Sequence, residues 1–289
     1  MATDAMVSDA RRDDRVLPTT RALSAFIAPF LLVAFVVLYG FPGSTARLWA
    51  WPIQSQMTSM LLAAAYLGGC WFFLRVLLVE RHWAAVRMGF VSVALFASLL
   101  GVATVVHWDK FSHDKLAFWL WAGLYFTAPV LVVWAFLVNQ RYAAEPAPDE
   151  PRLPRGPHRV VAGMGALAVV TGLLMFLVPA RAIAVWPWPL TALTARVVGA
   201  VFCLGAAGLG VLLDDRWVAV RLMRRVQLVM FALISVAAVR ARHEFLTDRP
   251  LTWVMGAGFV LIFAASAASE VRDARPRHTG RHSLRAQAP

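Results

Sequence analysis

This sequence predicts an all-α integral membrane fold of eight transmembrane helices, arranged as a parallel 4+4 internal repeat. Three observations carry that prediction. Sixty per cent of the 289 residues are hydrophobic and 15% are charged, whereas soluble domains carry about 25% charge. The apolar residues fall in blocks of about 20, the length that crosses a bilayer core as a helix. Landmarks in the first half of the chain recur in order in the second.

Residues 1–20 form a polar N-terminal segment, read as cytoplasmic and disordered. Four apolar blocks follow at 22–39, 57–79, 84–106 and 116–138, within a first repeat of 21–139. The first block is long, begins after the polar segment and lacks a small-x-small cleavage site, so it reads as an anchor and not as a signal peptide. Residues 140–159 hold five prolines and read as a linker. The second repeat, 160–269, has blocks at 160–178, 195–213, 218–239 and 251–268, and a basic tail read as disordered occupies 270–289. Each block is expected to be helical because a helix satisfies its own backbone in lipid. Cys70 and Cys203 both fall within blocks and read as small residues at helix contacts, because two lone thiols form neither a disulfide framework nor a metal spacing.

Positive charge sets the orientation, since Lys and Arg flanks are retained on the cytoplasmic side. With the N-terminus inside, 20 of the 28 Lys and Arg residues lie inside. The outer side holds Arg47, Lys110, Lys115, Arg181, Arg196, Arg240, Arg242 and Arg249. An even number of spans returns the C-terminus to the cytoplasm of a cell-membrane protein. The net charge of +12 then follows from topology, and the tail is expected to attract anionic inner-leaflet lipids. Nucleic-acid binding is not expected, because the tail has no interleaved aromatics.

The repeat appears at two offsets. At 137, Phe41-Pro42-Gly43 matches Val178-Pro179-Ala180, and Trp49, Trp51 and Pro52 match Trp186, Trp188 and Pro189. At 134, the stretch from Arg81 to Arg87 matches that from Asp215 to Arg221, and Phe111, Asp114, Lys115 and Trp119 match Phe245, Asp248, Arg249 and Trp253. Four spans per half make the repeat parallel, an arrangement that some transporters use. Ala64, Ala65, Gly68 and Gly69 in the second block, and Gly199, Gly205, Ala206, Gly208 and Gly210 in the sixth, are expected to face each other across the pseudo-axis, because small residues permit close helix approach.

Through Trp-Ala-Trp-Pro-Ile at 49–53 and His-Trp-Asp-Lys-Phe at 107–111, the chain resembles an uncharacterised family of bacterial multi-pass membrane proteins. The resemblance covers mainly the first half. It implies a multi-pass fold and no activity, so no functional residue is carried over.

Every one of the 16 acidic residues falls in a tail or loop, which argues against a proton-coupled pump, since such pumps use intramembrane carboxylates. Arg75, a turn inside the second block, reads as a snorkelling side chain, with a substrate-anion contact as the alternative. The outer loops concentrate His107, Asp109, His113 and Asp114 in the first half, and His243, Glu244 and Asp248 in the second. Imidazole and carboxylate suit a metal, which makes His107, Asp109, His113 and His243 the candidate ligands, although their spacing is no recognised motif. A haem between His107 and His243 is less favoured, with one candidate per half. Asp114 and Asp248 read instead as N-caps of the fourth and eighth helices, with Lys115 and Arg249 at headgroup level.

Trp49, Trp51, Trp186 and Trp188 read as an outer aromatic belt, with a ligand box as the alternative. Pro29 and Pro129 fall inside blocks and are expected to kink them. Nucleophile elbows, Walker loops, HExxH pairs and dinucleotide fingerprints are absent, and no cofactor is implied. The leading functional expectation is a small-molecule or lipid-binding, transporter-like protein without proton coupling. A non-catalytic sensor or scaffold with a protein partner comes next, and a membrane-embedded lipid-modifying enzyme third.

Overall fold

A computed structural model describes residues 13–145 and 149–274, apart from some side chains near the end of the last helix. Among the described residues the fold is all-α, without strands. Seven helices are long and apolar enough to cross a membrane: α1 (Pro18–Gly40), α2 (Gln56–Leu78), α3 (Arg87–Val106), α4 (Leu116–Gln140), α5 (Arg155–Leu177), α6 (Ala192–Leu212) and α7 (Trp217–Arg240). A further helix, α8 (Pro250–Ala274), follows.

Local chemistry starts and stops these helices. Pro18 opens α1 and Pro250 opens α8, a position where the missing N–H costs nothing. Ser55 Oγ caps α2 by accepting from the Thr58 N–H at 3.1 Å. Thr191 and Thr194 form a reciprocal capping box on α6. Pro29 and Pro129 do lie inside α1 and α4. Helix α6 is the irregular member: it breaks near Leu204–Gly205 and ends in the 3-10 turn Gly210–Leu212.

Helix α1 packs along α2, α5 along α6, and α3 along α4, while α8 packs on α7. Across the middle, α2 meets α7 and α3 meets α6. The small residues are placed differently from the sequence expectation. Those of α2 and α6 do not face one another as a closed seam. A Cβ on Gly172 of α5 would lie 2.5 Å from the Gly199 carbonyl oxygen, so the glycines of α6 seat it against its own neighbour α5. Gly68 of α2 instead admits the Met230 side chain of α7. Glycines serve the closest backbone approach, which here occurs inside a half, and the central crossings are filled by side chains.

The residues before α1 are ordered from 13 onward, whereas residues 1–12 lie outside the described residues. The Val16 N–H donates to the Arg81 carbonyl at 2.8 Å, and the Trp83 N–H to the Asp14 carbonyl at 2.6 Å. Asn139 of α4 receives the Leu17 N–H at 3.0 Å and the Thr20 hydroxyl at 2.8 Å. The chain before α5 is held likewise: the Leu153 N–H donates to the Asp215 carbonyl, and the Trp217 N–H to the Pro151 carbonyl, both at 2.8 Å. Part of the Pro-rich segment is therefore also pinned, because its backbone groups find partners in the α6–α7 loop. The basic tail beyond residue 274 lies outside the described residues.

At the opposite end, a short helix follows each of α1 and α5, Thr45–Leu48 and Pro179–Val185. Lys115 and Arg249 are not spread at headgroup level. Lys115 Nζ donates to the Ala46 carbonyl, and the Arg249 guanidinium donates to the Ile183 and Trp186 carbonyls at 2.9 and 2.5 Å. Each cation thus sits where a helix C-terminus is negative. The cap expectation for Asp114 and Asp248 is corrected as well. Lys115, not Asp114, occupies the N-cap position of α4, without any side-chain cap, and α8 starts at Pro250, two residues beyond Asp248.

The four tryptophans are not a belt. Trp49, Trp51, Trp186 and Trp188 are all buried, because each Trp-Pro segment turns back beneath the loops. The Trp51 ring lies edge-on to Trp121 at 4.7 Å, and Trp186 to Trp188 at 5.2 Å. The Arg75 guanidinium pairs with Glu80, just beyond the end of α2, at 2.5 Å, and the Glu80 backbone carbonyl takes Arg21 at 2.8 Å.

Candidate functional site

The loop residues singled out for metal chemistry are spread over several different structural tasks. His107 caps the C-terminal end of α3, and its Nε2 lies 2.6 Å from the Arg196 guanidinium of α6. A neutral imidazole accepts that hydrogen bond. Burial, and then the Arg196 charge, hold the His107 pKa below the ordinary histidine value. Asp109 is exposed and pairs with Lys110 at 2.7 Å, and the hydrogen bond from Lys110 lowers its pKa. The His113 ring packs against Phe118 and Trp108, with centroids 4.6 and 5.0 Å away. His243 is exposed in the turn Arg242–Glu244. Among the described residues no group of three or more His, Cys, Asp or Glu is placed to hold a metal ion.

Glu244 has the most specific role in these loops. Its carboxylate accepts the Ser55 hydroxyl at 2.6 Å, the Gln56 N–H at 2.7 Å and the Met57 N–H at 3.1 Å. It therefore caps α2 from the other half of the chain, where orphan N–H groups and the positive helix end favour an anion. On the opposite face, Asp214 receives Arg216 at 2.9 Å and Arg87 at 2.6 Å. The Glu244 hydrogen bonds at one end and the Arg87–Asp214 ion pair at the other link the α1–α4 and α5–α8 segments.

Between those joints lies a cavity of about 500 Å³, within the range of small-molecule sites. Residues from every long helix line it, including Leu31, Phe96, Tyr125, Ala168, Met230 and Met255. Among the described residues no charged side chain lines it. Leu167 of α5 and Val254 of α8 belong to its wall and are also 61% and 67% exposed. The cavity therefore opens sideways between the helices that carry them, toward lipid in a membrane-spanning chain.

Its polar groups are few. The Tyr125 hydroxyl donates to the Tyr66 hydroxyl at 2.9 Å, and Ser92 to the Met88 carbonyl at 3.1 Å. Gln227 of α7 also lines the wall and makes no hydrogen bond among the described residues. Trp186 lines the wall as well, and its buried indole N–H has no partner. Sequence reading missed Gln227, whereas it read Trp186 as a belt residue with a ligand box as the alternative. A lone amide within the apolar block 218–239 was the available signal for Gln227, but only intramembrane carboxylates had been weighed. Cys70 and Cys203 are buried free thiols, and Cys203 lies against Gly172 at an α5–α6 contact.

No family model, no curated protein and no solved structure matches this chain. The resemblance carried by the motifs at 49–53 and 107–111 stands on those residues alone.

Proposed function

We propose that the protein is an eight-span membrane protein, duplicated as two parallel four-helix halves with both termini in the cytoplasm, that binds a hydrophobic small molecule or lipid between the halves. In this reading α8 is the eighth span. The duplication is supported by hydrogen bonds recurring at the offsets found in the sequence. Val16 to Arg81 corresponds to Leu153 to Asp215, and Ser112 N–H to the Ala50 carbonyl corresponds to Leu246 N–H to the Pro187 carbonyl. The Trp119 indole donates to the His113 carbonyl as Trp253 does to Thr247. The crossing of α2 on α7 is likewise the counterpart of α6 on α3.

The observation that carries the functional reading is the apolar cavity of about 500 Å³ with its sideways opening. An uncharged, aromatic- and methionine-rich wall binds by excluding water and adapting to irregular apolar shapes. The seven apolar spans contain no Asp or Glu, so movement of a ligand through them is not coupled to protons by an intramembrane carboxylate. The reading is transporter-like: a ligand enters from the bilayer and is held between two related bodies.

The test is a density map of the protein purified into lipid nanodiscs without added ligand. Elongated non-protein density among α5, α7 and α8 is expected. An empty cavity, together with no lipid retained through stringent detergent exchange, would remove the reading.

A further inference from the structure

We infer that the cavity takes an uncharged lipid bearing a hydrogen-bond acceptor, such as an ester or ketone carbonyl, and that the Gln227 amide and the Trp186 indole N–H are the donors that receive it. This rests on the reading of the cavity as a lipid site. Three observations select the ligand class.

The first is that, among the described residues, no charged side chain lines the cavity. An ionised headgroup drawn into that wall would lose its hydration without a counter-charge, at a cost of many kcal/mol. A fatty-acid anion or a phospholipid headgroup therefore stays outside, and a neutral head enters.

The second is Gln227, which lines the cavity from α7. It lies ten residues after the first residue of α7, about 15 Å along the axis at 1.5 Å per residue. It follows Arg221, Arg224 and Arg225 on the same helix and turns toward the cavity, whose wall it joins. A primary amide there has two donors and one acceptor oxygen to satisfy, yet no protein group among the described residues bonds to it. Gln227 is exposed within the protein, so in an apolar surrounding its amide lacks a partner, and a ligand carbonyl supplies one.

The third is Trp186. Its ring is buried, packs edge-on to Phe202 with centroids 5.8 Å apart, and borders the cavity with its N–H unmatched. Of the other polar groups of the wall, the Tyr125 hydroxyl donates to Tyr66 and Ser92 bonds to its own helix, while Thr171 offers a further hydroxyl. The open donors are thus on α7 and at the start of the Trp-Pro segment that follows α5. They lie on the second-half side of the cavity, the side that opens to lipid.

Native mass spectrometry of the full chain, after titration with dioleoylglycerol, hexadecane or oleate, separates the possibilities. Dioleoylglycerol is expected to bind one to one, and Gln227→Leu to weaken it about tenfold, the effect of roughly 1.4 kcal/mol. Trp186→Phe is expected to weaken it less, and hexadecane binding is expected to be unchanged or tighter in Gln227→Leu. Gln227→Met provides a second apolar replacement if the leucine variant does not fold. Equal dioleoylglycerol binding by wild type, Gln227 variants and Trp186→Phe would overturn the role of these donors, and oleate binding as tightly as dioleoylglycerol would overturn the neutral-ligand assignment. If none of the three probes is retained, the cavity reading itself falls.

Discussion

On the proposed reading of the chain as a duplication, the two halves share a plan but not a density. In the first, Trp51, Trp121, Tyr125 and Phe118 form a continuous set of ring contacts with their neighbours. At the repeat offsets, Phe96 corresponds to Met230, Trp121 to Met255, Leu124 to Gly258 and Leu31 to Ala168. All four second-half residues line the cavity. The same helix arrangement is therefore filled by large rings on one side and left short of volume on the other. Because packed interiors hold few voids larger than a water molecule, a deficit concentrated in one half points to use of that space. On this reading the first half, which contributes Leu31, Phe96 and Leu124 to the wall, is the support, and the second supplies the open side.

The largest expected effect concerns the ion pairs beneath that contrast. Asp214 holds two arginines, one of them almost fully buried, whereas its counterpart Glu80 holds Arg75 alone. Asp214→Ala strands Arg216 and Arg87, although Glu150 remains 3.1 Å from Arg216. A loss of about 3 kcal/mol is expected in reversible unfolding, the scale for breaking a buried pair. Glu80→Ala is expected to cost about 1 kcal/mol, because Arg75 is partly exposed and can move to the headgroups. Equal costs would remove Asp214 as the principal joint between halves. The same carboxylate has a pH signature. Burial pushes its pKa up, but hydrogen bonds and charge from Arg216 and Arg87 outweigh that and leave it below the ordinary aspartate value. Its contribution is present above the unfolded pKa near 4 and is lost as pH falls through the depressed folded value, since the unfolded chain then binds more protons.

Restoring the missing volume tests the comparison directly. Ala168→Leu combined with Gly258→Leu gives the second half the side chains that the first has at Leu31 and Leu124. A Cβ at Gly258 meets nothing within 4 Å, so the addition at that site enters open space. Retention of dioleoylglycerol is expected to fall at least tenfold while thermal stability stays within about 1 kcal/mol of wild type, less than the usual overpacking penalty. Undiminished retention would show that the lipid sits elsewhere.

Much of the frame was legible from hydropathy. Seven of the eight apolar blocks coincide with helices fit to cross a membrane, because block length alone decides the element in lipid. What stayed illegible depends on partners distant in sequence. Lys115 and Arg249 reach carbonyls about 70 residues back, so no local pattern separates them from headgroup cations. The Trp-Pro segments read as belts because a buried Trp and an interfacial Trp look alike at the end of a span. Glu244 looked like one more loop acid until its partners on α2 were visible. Gln227 was visible as a lone amide, but its significance required the cavity.

The smallest expected effect distinguishes the two tryptophans that share one place in the repeat. Trp188 donates its indole N–H to Thr58 of α2 at 2.8 Å, whereas the buried Trp51 indole N–H has no partner. Near the corresponding place on α6 the chain has Ala195, which offers no oxygen. Trp188→Phe removes a bond between the halves and leaves Thr58 buried, for an expected loss of about 1 kcal/mol beyond the smaller ring. Trp51→Phe removes only an unmatched donor, so its loss of ring area is partly offset and the net change is smaller. Unfolding both variants in the same detergent yields the difference without an absolute scale. If Trp51→Phe proves the costlier change, its N–H has a partner in the membrane that the aromatic core of the first half encloses, and that half is not the inert support inferred above.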